Sequence, residues 1–256
     1  FSYDVSNSLT AKIALNHENQ KALFDYQYQN LGNSFKNVST TLSLKYSPND
    51  KNMMTPGGKL TYEKKFPQFF LNYEFGSKIF DGELNYDRLD ALAIHQFRSK
   101  LGTTTLKFLG GISSGTAPIW KNFEIIGQTN GSSEKWTSKI NTPSTLGFVT
   151  MPSGTFYADK FVSLQVSQYL PFRFKTIGKT YSTLELEYKS AVGNFKNPEN
   201  HQFNFQVLNH NYQEVGFIWN RFLGRKFDVG FSYRLGYYQT SQFKDNFGLQ
   251  IRLGGF

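Results

Sequence analysis

The stretch Asn246-Phe-Gly-Leu-Gln-Ile-Arg-Leu-Gly-Gly-Phe256 decides the fold. Phe247, Leu249, Ile251 and Leu253 alternate with Asn246, Gly248, Gln250 and Arg252. Successive side chains of a β-strand point to opposite faces, so this segment has one apolar wall and one polar wall. A half-buried strand of a soluble sandwich reads the same way. The same period, however, recurs along the whole chain, and that repetition favours a membrane-spanning barrel.

Working back from the end, Phe227–Tyr237 is the cleanest segment. Phe227, Val229, Phe231, Tyr233, Leu235 and Tyr237 face one way, and Asp228, Gly230, Ser232, Arg234 and Gly236 the other. A charge on a lipid-facing wall costs about 2–4 kcal/mol near the bilayer midplane. Asp228, Arg234 and Arg252 all fall on the Gly/Ser side, which assigns that side to a polar lumen. Alternation predicts further strands at Tyr212–Phe222, Thr183–Ser190, Phe161–Leu170, Thr103–Ile112 and Gln68–Phe75. Three more are predicted at Val38–Tyr46, Ala22–Gln29 and Leu9–Asn16. In Ala22–Gln29, Phe24, Tyr26 and Tyr28 oppose Asp25 and Gln27. Glu83–Phe97 completes the eleven; its period slips near Arg88–Leu89, where a bulge or a second strand fits. Pro67 sits where a strand starts, a place that tolerates a missing N–H. The polar stretch around Pro56, Gly57 and Gly58 reads as a loop.

Residues Ser113 to Ala158 carry no sustained period. This segment holds Trp120, Phe123, Trp136, Phe148 and Phe156, too many aromatics for a solvated linker, so it is expected to fold into the lumen or over the barrel mouth. Short turns at Leu223–Lys226, Ser99–Gly102 and Glu18–Lys21 are assigned to the periplasmic side. The long Ser113–Ala158 and Gly193–Asn211 connections go to the outside. The connection at 171–182 and the long one before Pro67 break this trend. Eleven is odd and an open sheet edge cannot face lipid, so the first strands of the barrel are expected upstream of Phe1.

Composition agrees with a barrel. The 256 residues include 26 Phe and 15 Tyr, with only 18% charged residues. The negative mean hydropathy excludes a helix bundle but not a barrel, whose lumen side is polar. No apolar run reaches the roughly 18 residues of a spanning helix. The absence of cysteine excludes disulfides and thiolate metal sites. The net charge of +9 is dispersed among strands rather than gathered in a patch, so no nucleic-acid partner is expected.

Catalytic patterns lack their context. Gly111-Ile-Ser113-Ser114-Gly115 fits the nucleophile-elbow spacing but ends a strand with no helix after it. His17, His95, His201 and His210 have no ligand spacing. Glu185 and Glu187, flanked by Lys189, could act as an acid–base pair about 7 Å apart. They read more simply as the acidic half of a lumenal charge network with Arg234 and Arg252, with Asp228 on the same wall. No enzyme activity, cofactor or metal is expected.

Several landmarks carry a resemblance. The order of Asn246, Gly248, Ile251 and Leu253, with a terminal Phe256, resembles the C-terminal insertion signal of bacterial outer-membrane barrels. The ordered set Pro67-Gln-Phe-Phe-Leu-Asn-Tyr73, Ala117-Pro118, Phe156-Tyr-Ala-Asp159-Lys160-Phe161 and Tyr212-Gln-Glu214-Val-Gly216 covers about three-quarters of the chain. It resembles the C-terminal part of outer-membrane barrels of unknown function that carry an N-terminal carboxypeptidase-regulatory-like domain. That family in turn resembles the BamA/TamA-type assembly and translocation barrels of sixteen strands, in which five strands follow a long lumenal loop. Five predicted strands follow Ser113–Ala158 here. The loop-anchoring Arg-Gly-aromatic tip of those barrels is absent, and Asp159-Lys160 stands where the closer family has Asp-Arg. The resemblance implies an all-β transmembrane antiparallel barrel in the outer membrane, seen as its C-terminal portion, about eleven strands of sixteen. It implies a role in outer-membrane protein assembly or surface translocation, with residues 244–254 forming one side of a seam. A docking barrel gripping lipoproteins or other subunits of a larger complex, or a passive pore, are the alternatives. Outer-membrane lipids are the expected surroundings in each case.

Overall fold

The computed structural model describes residues 1–29, 32–129, 140–141, 146–175, 181–222 and 227–253. Eleven antiparallel strands form one large sheet in which each strand pairs with its sequence neighbours. They are β1 (Ser2–Asp4), β2 (Leu9–Lys21), β3 (Ser34–Tyr46), β4 (Gln68–Gly76), β5 (Asn85–Ser99) and β6 (Gly102–Thr116). Then follow β7 (Lys160–Lys175), β8 (Tyr181–Asn194), β9 (Tyr212–Asn220), β10 (Phe227–Gly236) and β11 (Phe247–Leu253). The outer edge of β11 takes a short parallel partner, Ile140–Asn141. Among the described residues β1 and β11 are not paired with each other.

The predicted count is met with different members. Ala22–Gln29 is not a strand of the sheet. Only Gln27–Tyr28 pairs, and it does so with His201–Gln202. Tyr26 and Tyr28 are buried while Phe24 is 44% exposed, so the alternation records one-sided packing against other loops. Ser2–Asp4, which pairs with β2 through Tyr3↔Ala11, takes its place. Glu18–Lys21 is the end of β2, not a turn, and it lies at the end of the sheet that carries the long connections. The polar stretch before Pro67 contains a hairpin, Lys51–Thr55 with Gly58–Glu63, turning through Gly58 at φ +109°. Buried Asp50 holds it by accepting from the Lys65 N–H at 2.7 Å and from Gln68 Nε2 at 3.0 Å. No slip occurs in β5: its register with β6 runs unbroken from Asn85↔Thr116 to Ser99↔Gly102. The irregularity lies in β7, between Tyr169 and Arg173.

With these corrections the connections sort by end. Those at 5–8, 47–67 and 100–101 lie at one end, with the strand ends Lys175, Tyr181, Asn220 and Phe227; the predicted turn Leu223–Lys226 lies outside the described residues. Those at 22–33, 77–84, 117–159, 195–211 and 237–246 lie at the other. Apart from 47–67, each at the first end is shorter than each at the second.

The two faces of the sheet are inverted relative to a water-soluble domain. Leu186, Phe217, Phe231 and Leu249 sit opposite one another on four successive strands. Leu186 is 48% and Phe217 38% exposed. Phe217 and Phe231 stack with centroids 5.1 Å apart, and Phe231 and Phe247 at 5.9 Å. On the other face Asn37, Ser39, Gln165, Glu185, Glu214 and Gln250 are buried. Apolar residues are buried chiefly where the connections fold over this polar face. One cluster joins Phe123, Ile125, Phe148, Met151 and Phe156 to Phe161 and Tyr212 of the sheet. The second joins Tyr26, Tyr28, Phe35, Tyr86 and Ile119.

Candidate functional site

The polar face of β7–β11 and the segment around 146–152 that lies on it form the candidate site. Alternation puts Gln165 of β7, Glu185, Glu187 and Lys189 of β8, Glu214 of β9 and Gln250 and Arg252 of β11 on one side. The register aligns Gln165, Lys189 and Glu214 in one rung. Gly216, Ser232 and Gly248 line the next rung, leaving a shallow trough. A Cβ on Gly248 would lie 2.8 Å from Val149 Cγ1 and 3.1 Å from its carbonyl oxygen. Glycine there lets a second stretch of backbone come down onto the strand.

Three side chains hold that backbone. Glu214 accepts from the Val149 N–H at 3.1 Å, from the Thr150 N–H at 2.7 Å and from the Thr150 hydroxyl at 2.8 Å. The Thr150 hydroxyl in turn contacts the Tyr212 hydroxyl at 2.9 Å. Lys189 Nζ donates to the Gly147 carbonyl at 2.9 Å, and Gln165 Nε2 to the Leu146 carbonyl at 2.7 Å. Buried backbone groups without sheet partners thus find side-chain partners, as burial demands. Three carboxylates and two cations meet within the cluster. Lys189 Nζ lies 3.6 Å from Glu187 and 3.8 Å from Glu214. Arg252 donates to Glu187 at 3.0 Å and stands 3.9 Å from Glu185.

The expected network of Glu185, Glu187, Lys189 and Arg252 is therefore assembled, and two predicted members are elsewhere. Arg234 faces Glu214 in register, but its guanidinium donates to the Asp245 carbonyl and lies 5.9 Å from the Tyr212 ring. Asp228 accepts the Arg221 N–H at 2.6 Å, at the short-connection end. Glu214, Gln165 and Gln250 were not predicted. Their place on the polar wall was readable from parity, but the segment they hold was not.

Of the C-terminal residues, buried Asn246 locks the preceding connection. It accepts from the Thr240 N–H at 2.8 Å and donates to the Thr240 carbonyl at 2.7 Å. Ile251 is half-buried on the apolar face, and Leu253 pairs with Phe227. Phe256 lies outside the described residues. Asp159 anchors two connections: its carbonyl accepts the Ser113 N–H at 2.6 Å and its carboxylate the Lys196 N–H at 2.7 Å. Lys160 is exposed and makes no ion pair among the described residues. The elbow-like Ser113 lies inside β6 and donates to Asn122 at 2.7 Å. No group of three or more His, Asp or Glu side chains suited to a metal occurs among the described residues.

At the long-connection end the second aromatic cluster forms a cap. Trp120 Nε1 donates to Gln20 at 2.6 Å, and Lys121 reaches Glu74 at 2.9 Å and Glu18 at 3.3 Å. Tyr26 accepts the Ile119 N–H at 2.9 Å, so its own proton is directed at His201 Nδ1, 2.8 Å away. Rings of Tyr28 and Phe195 lie 4.8 and 5.1 Å from the imidazole. Burial pushes the His201 pKa down to about 4, so the ring is neutral at pH 7 and accepts at Nδ1. A depressed histidine contributes stability that is fully present above its unfolded value near 6.5 and is lost as pH falls toward 4. The full shift is worth about 3 kcal/mol. Hydrogen exchange at the Ile119 amide, corrected for the intrinsic rate, is expected to speed up as pH falls from 6.5 to 4. A His201→Phe variant is expected to lose that dependence.

A match to the C-terminal domain of a family of unknown function, DUF5686, covers residues 1–112. It overlaps the landmark set only between Pro67 and residue 112. A search of curated proteins returns no match. Over its first 112 residues the chain is thus similar to the DUF5686 C-terminal domain, a domain of unknown function.

Proposed function

We propose that this chain forms the C-terminal part of a plugged β-barrel in the outer membrane, which serves the assembly or surface translocation of other envelope proteins. The inverted polarity of the sheet carries the reading. A wall of Leu186, Phe217, Phe231 and Leu249 facing outward, over a buried face of Glu185, Glu214 and Gln250, is costly in water and favourable against acyl chains. Both edge strands then need partners, because lipid cannot satisfy open backbone groups. Further strands, as in the sixteen-stranded BamA/TamA-type barrels, would close the circle between β1 and β11. Short connections at one end and long ones at the other match periplasmic and external sides.

The segment seated on Glu214, Lys189 and Gln165 argues against a wide passive pore, since it fills the space that water would need. A docking barrel is the second reading. Its support is the cap itself, where connections 22–33, 117–159 and 195–211 pack on one another into an ordered external surface that a lipoprotein or complex subunit could grip. Replacing residues 118–155 by a short Gly/Ser linker separates the two. If the barrel serves assembly, the variant still inserts but the levels of other outer-membrane barrels and surface proteins fall. Unchanged levels, with loss of a co-purifying partner, would favour docking.

A further inference from the structure

We infer that the hairpin formed by Lys51–Thr55 and Gly58–Glu63 is a docking surface for an extended, acidic polypeptide segment with alternating apolar side chains. The side it faces, the periplasm, rests on the barrel reading. The hairpin is fastened at its base and on one face. Asp50, whose side chain is fully buried, lies 3.3 Å from Lys45 Nζ besides accepting from Lys65 and Gln68. Asn49 Nδ2 donates to the Phe66 carbonyl at 2.7 Å, and Asn52 Nδ2 to the Asn7 carbonyl at 2.7 Å. Lys59 Nζ donates to the Thr10 hydroxyl at 2.8 Å and lies 3.2 Å from Asp4. Asp4 and Thr10 are in register with Lys45 and not with Leu44, which puts them on the polar wall. The hairpin therefore leans toward the polar side of the sheet, away from the wall that would meet lipid.

Its other face is bare. Met53 stands opposite Leu60, and these two, with Met54 and Tyr62 beside them, are between 51% and 70% exposed. Met53 and Met54 are two of the three methionines in the chain, and methionine packs against apolar partners of varied shape. Among the described residues the hairpin is a two-stranded sheet by itself, so both of its outer edges are open. Two strands without a third are marginal in water. An open edge beside apolar side chains accepts an added strand: main-chain hydrogen bonds supply affinity, and every second side chain of the newcomer meets the apolar face.

Charge selects the sign of that strand. Lys51 and Lys65 lie 2.6 and 3.5 Å from the same carboxylate, Glu63, and all three side chains are nearly half exposed. Exposed Lys64 adds a third cation. Three cations thus share one exposed carboxylate, because Asp50 is enclosed in the base and Asp4 faces Lys59. An acidic segment is attracted to this surplus and a basic one repelled.

The probes are two short labelled peptides, one alternating valine with glutamate and one alternating valine with lysine. They are titrated by fluorescence anisotropy against the whole chain in non-ionic detergent micelles. Exposed charge pairs shift an affinity by up to about fivefold each, so the glutamate peptide is expected to bind about tenfold more tightly, with the gap shrinking at high salt. The variant K51E/K64E/K65E is expected to reverse the preference, and M53S/L60S to weaken both peptides. L23S/F80S, which removes exposed apolar side chains at the opposite end, is expected to change neither. Binding of neither peptide, equal binding of the two, or loss in L23S/F80S alone overturns the inference while leaving the barrel intact. Phosphatidylglycerol added to the micelles is expected not to displace the glutamate peptide; displacement would assign the surface to lipid and overturn the inference as well. Peptide binding by a protein that stays dissolved and monomeric without detergent would instead overturn the barrel reading and leave the docking surface standing.

Discussion

Replacing Glu214 by alanine is expected to release residues 146–152 from the sheet. The carboxylate is 1% exposed and accepts three hydrogen bonds from Val149 and Thr150. It also neutralises Lys189, whose ammonium is almost equally buried. Hydrogen bonds to a charged acceptor are each worth about 1.5–3 kcal/mol. Lys189 keeps Glu187 at 3.6 Å, so its charge is not stranded and the loss falls on the segment that Glu214 holds. The amides of Val149 and Thr150 should then exchange with deuterium about 100- to 1000-fold faster, while amides within β8–β10 stay protected. Glu214→Gln keeps one acceptor and most of the shape, so it should show a smaller acceleration. Unchanged exchange in the alanine variant would mean that packing of Phe148 and Met151, not the carboxylate, holds the segment.

Placing a charge on the opposite wall should be as damaging, for a different reason. Phe217 lies mid-strand in β9, between Leu186 and Phe231. In water an exposed phenylalanine can become arginine at a cost within about 0.5 kcal/mol. In a bilayer the same change costs about 2–4 kcal/mol near the midplane, and loss of the ring stacked on Phe231 adds about 0.5–1.5 kcal/mol. The expected outcome for Phe217→Arg is a matching drop in unfolding free energy measured in lipid. Phe217→Leu should lose only the stacking contribution. A cost below 0.5 kcal/mol for the arginine would place this wall in water.

Most of the sheet was legible because a buried polar face and an exposed apolar face impose a strict period-2 code on each strand. β10 and β11 show it best, where every inward position is polar or glycine. The same period misled at Ala22–Gln29. Alternation reports that one side is buried and the other is not, and it is silent on whether the burying surface is a strand or a loop. Tyr26 finds its partners in Ile119 and His201, far along the chain, and no local pattern announces that. The hairpin before Pro67 did leave a signal, since Thr55-Pro56-Gly57-Gly58 is turn chemistry between two short alternating runs. Half of the candidate site was readable in the same way: Glu185, Glu187, Lys189 and Arg252 fall on one wall by counting. Glu214 became important only when the aperiodic segment supplied backbone N–H groups for it to accept. The trough at Gly216 and Gly248 was visible as small residues, but what fills it was not.

The proposed barrel requires the wall of Leu186, Phe217 and Phe231 to meet lipid. The chain has no cysteine, so single cysteines at Leu186, Phe217 and Phe231, and separately at Ser163 and Ser232, can carry a nitroxide label without background. Power-saturation electron paramagnetic resonance in bilayers then compares accessibility to oxygen, which partitions into lipid, with accessibility to a water-soluble nickel chelate. We predict high oxygen and low nickel accessibility at 186, 217 and 231, and low accessibility to both at 163 and 232. High nickel accessibility at 186, 217 and 231, in a protein that stays folded and monomeric without detergent, would contradict the account.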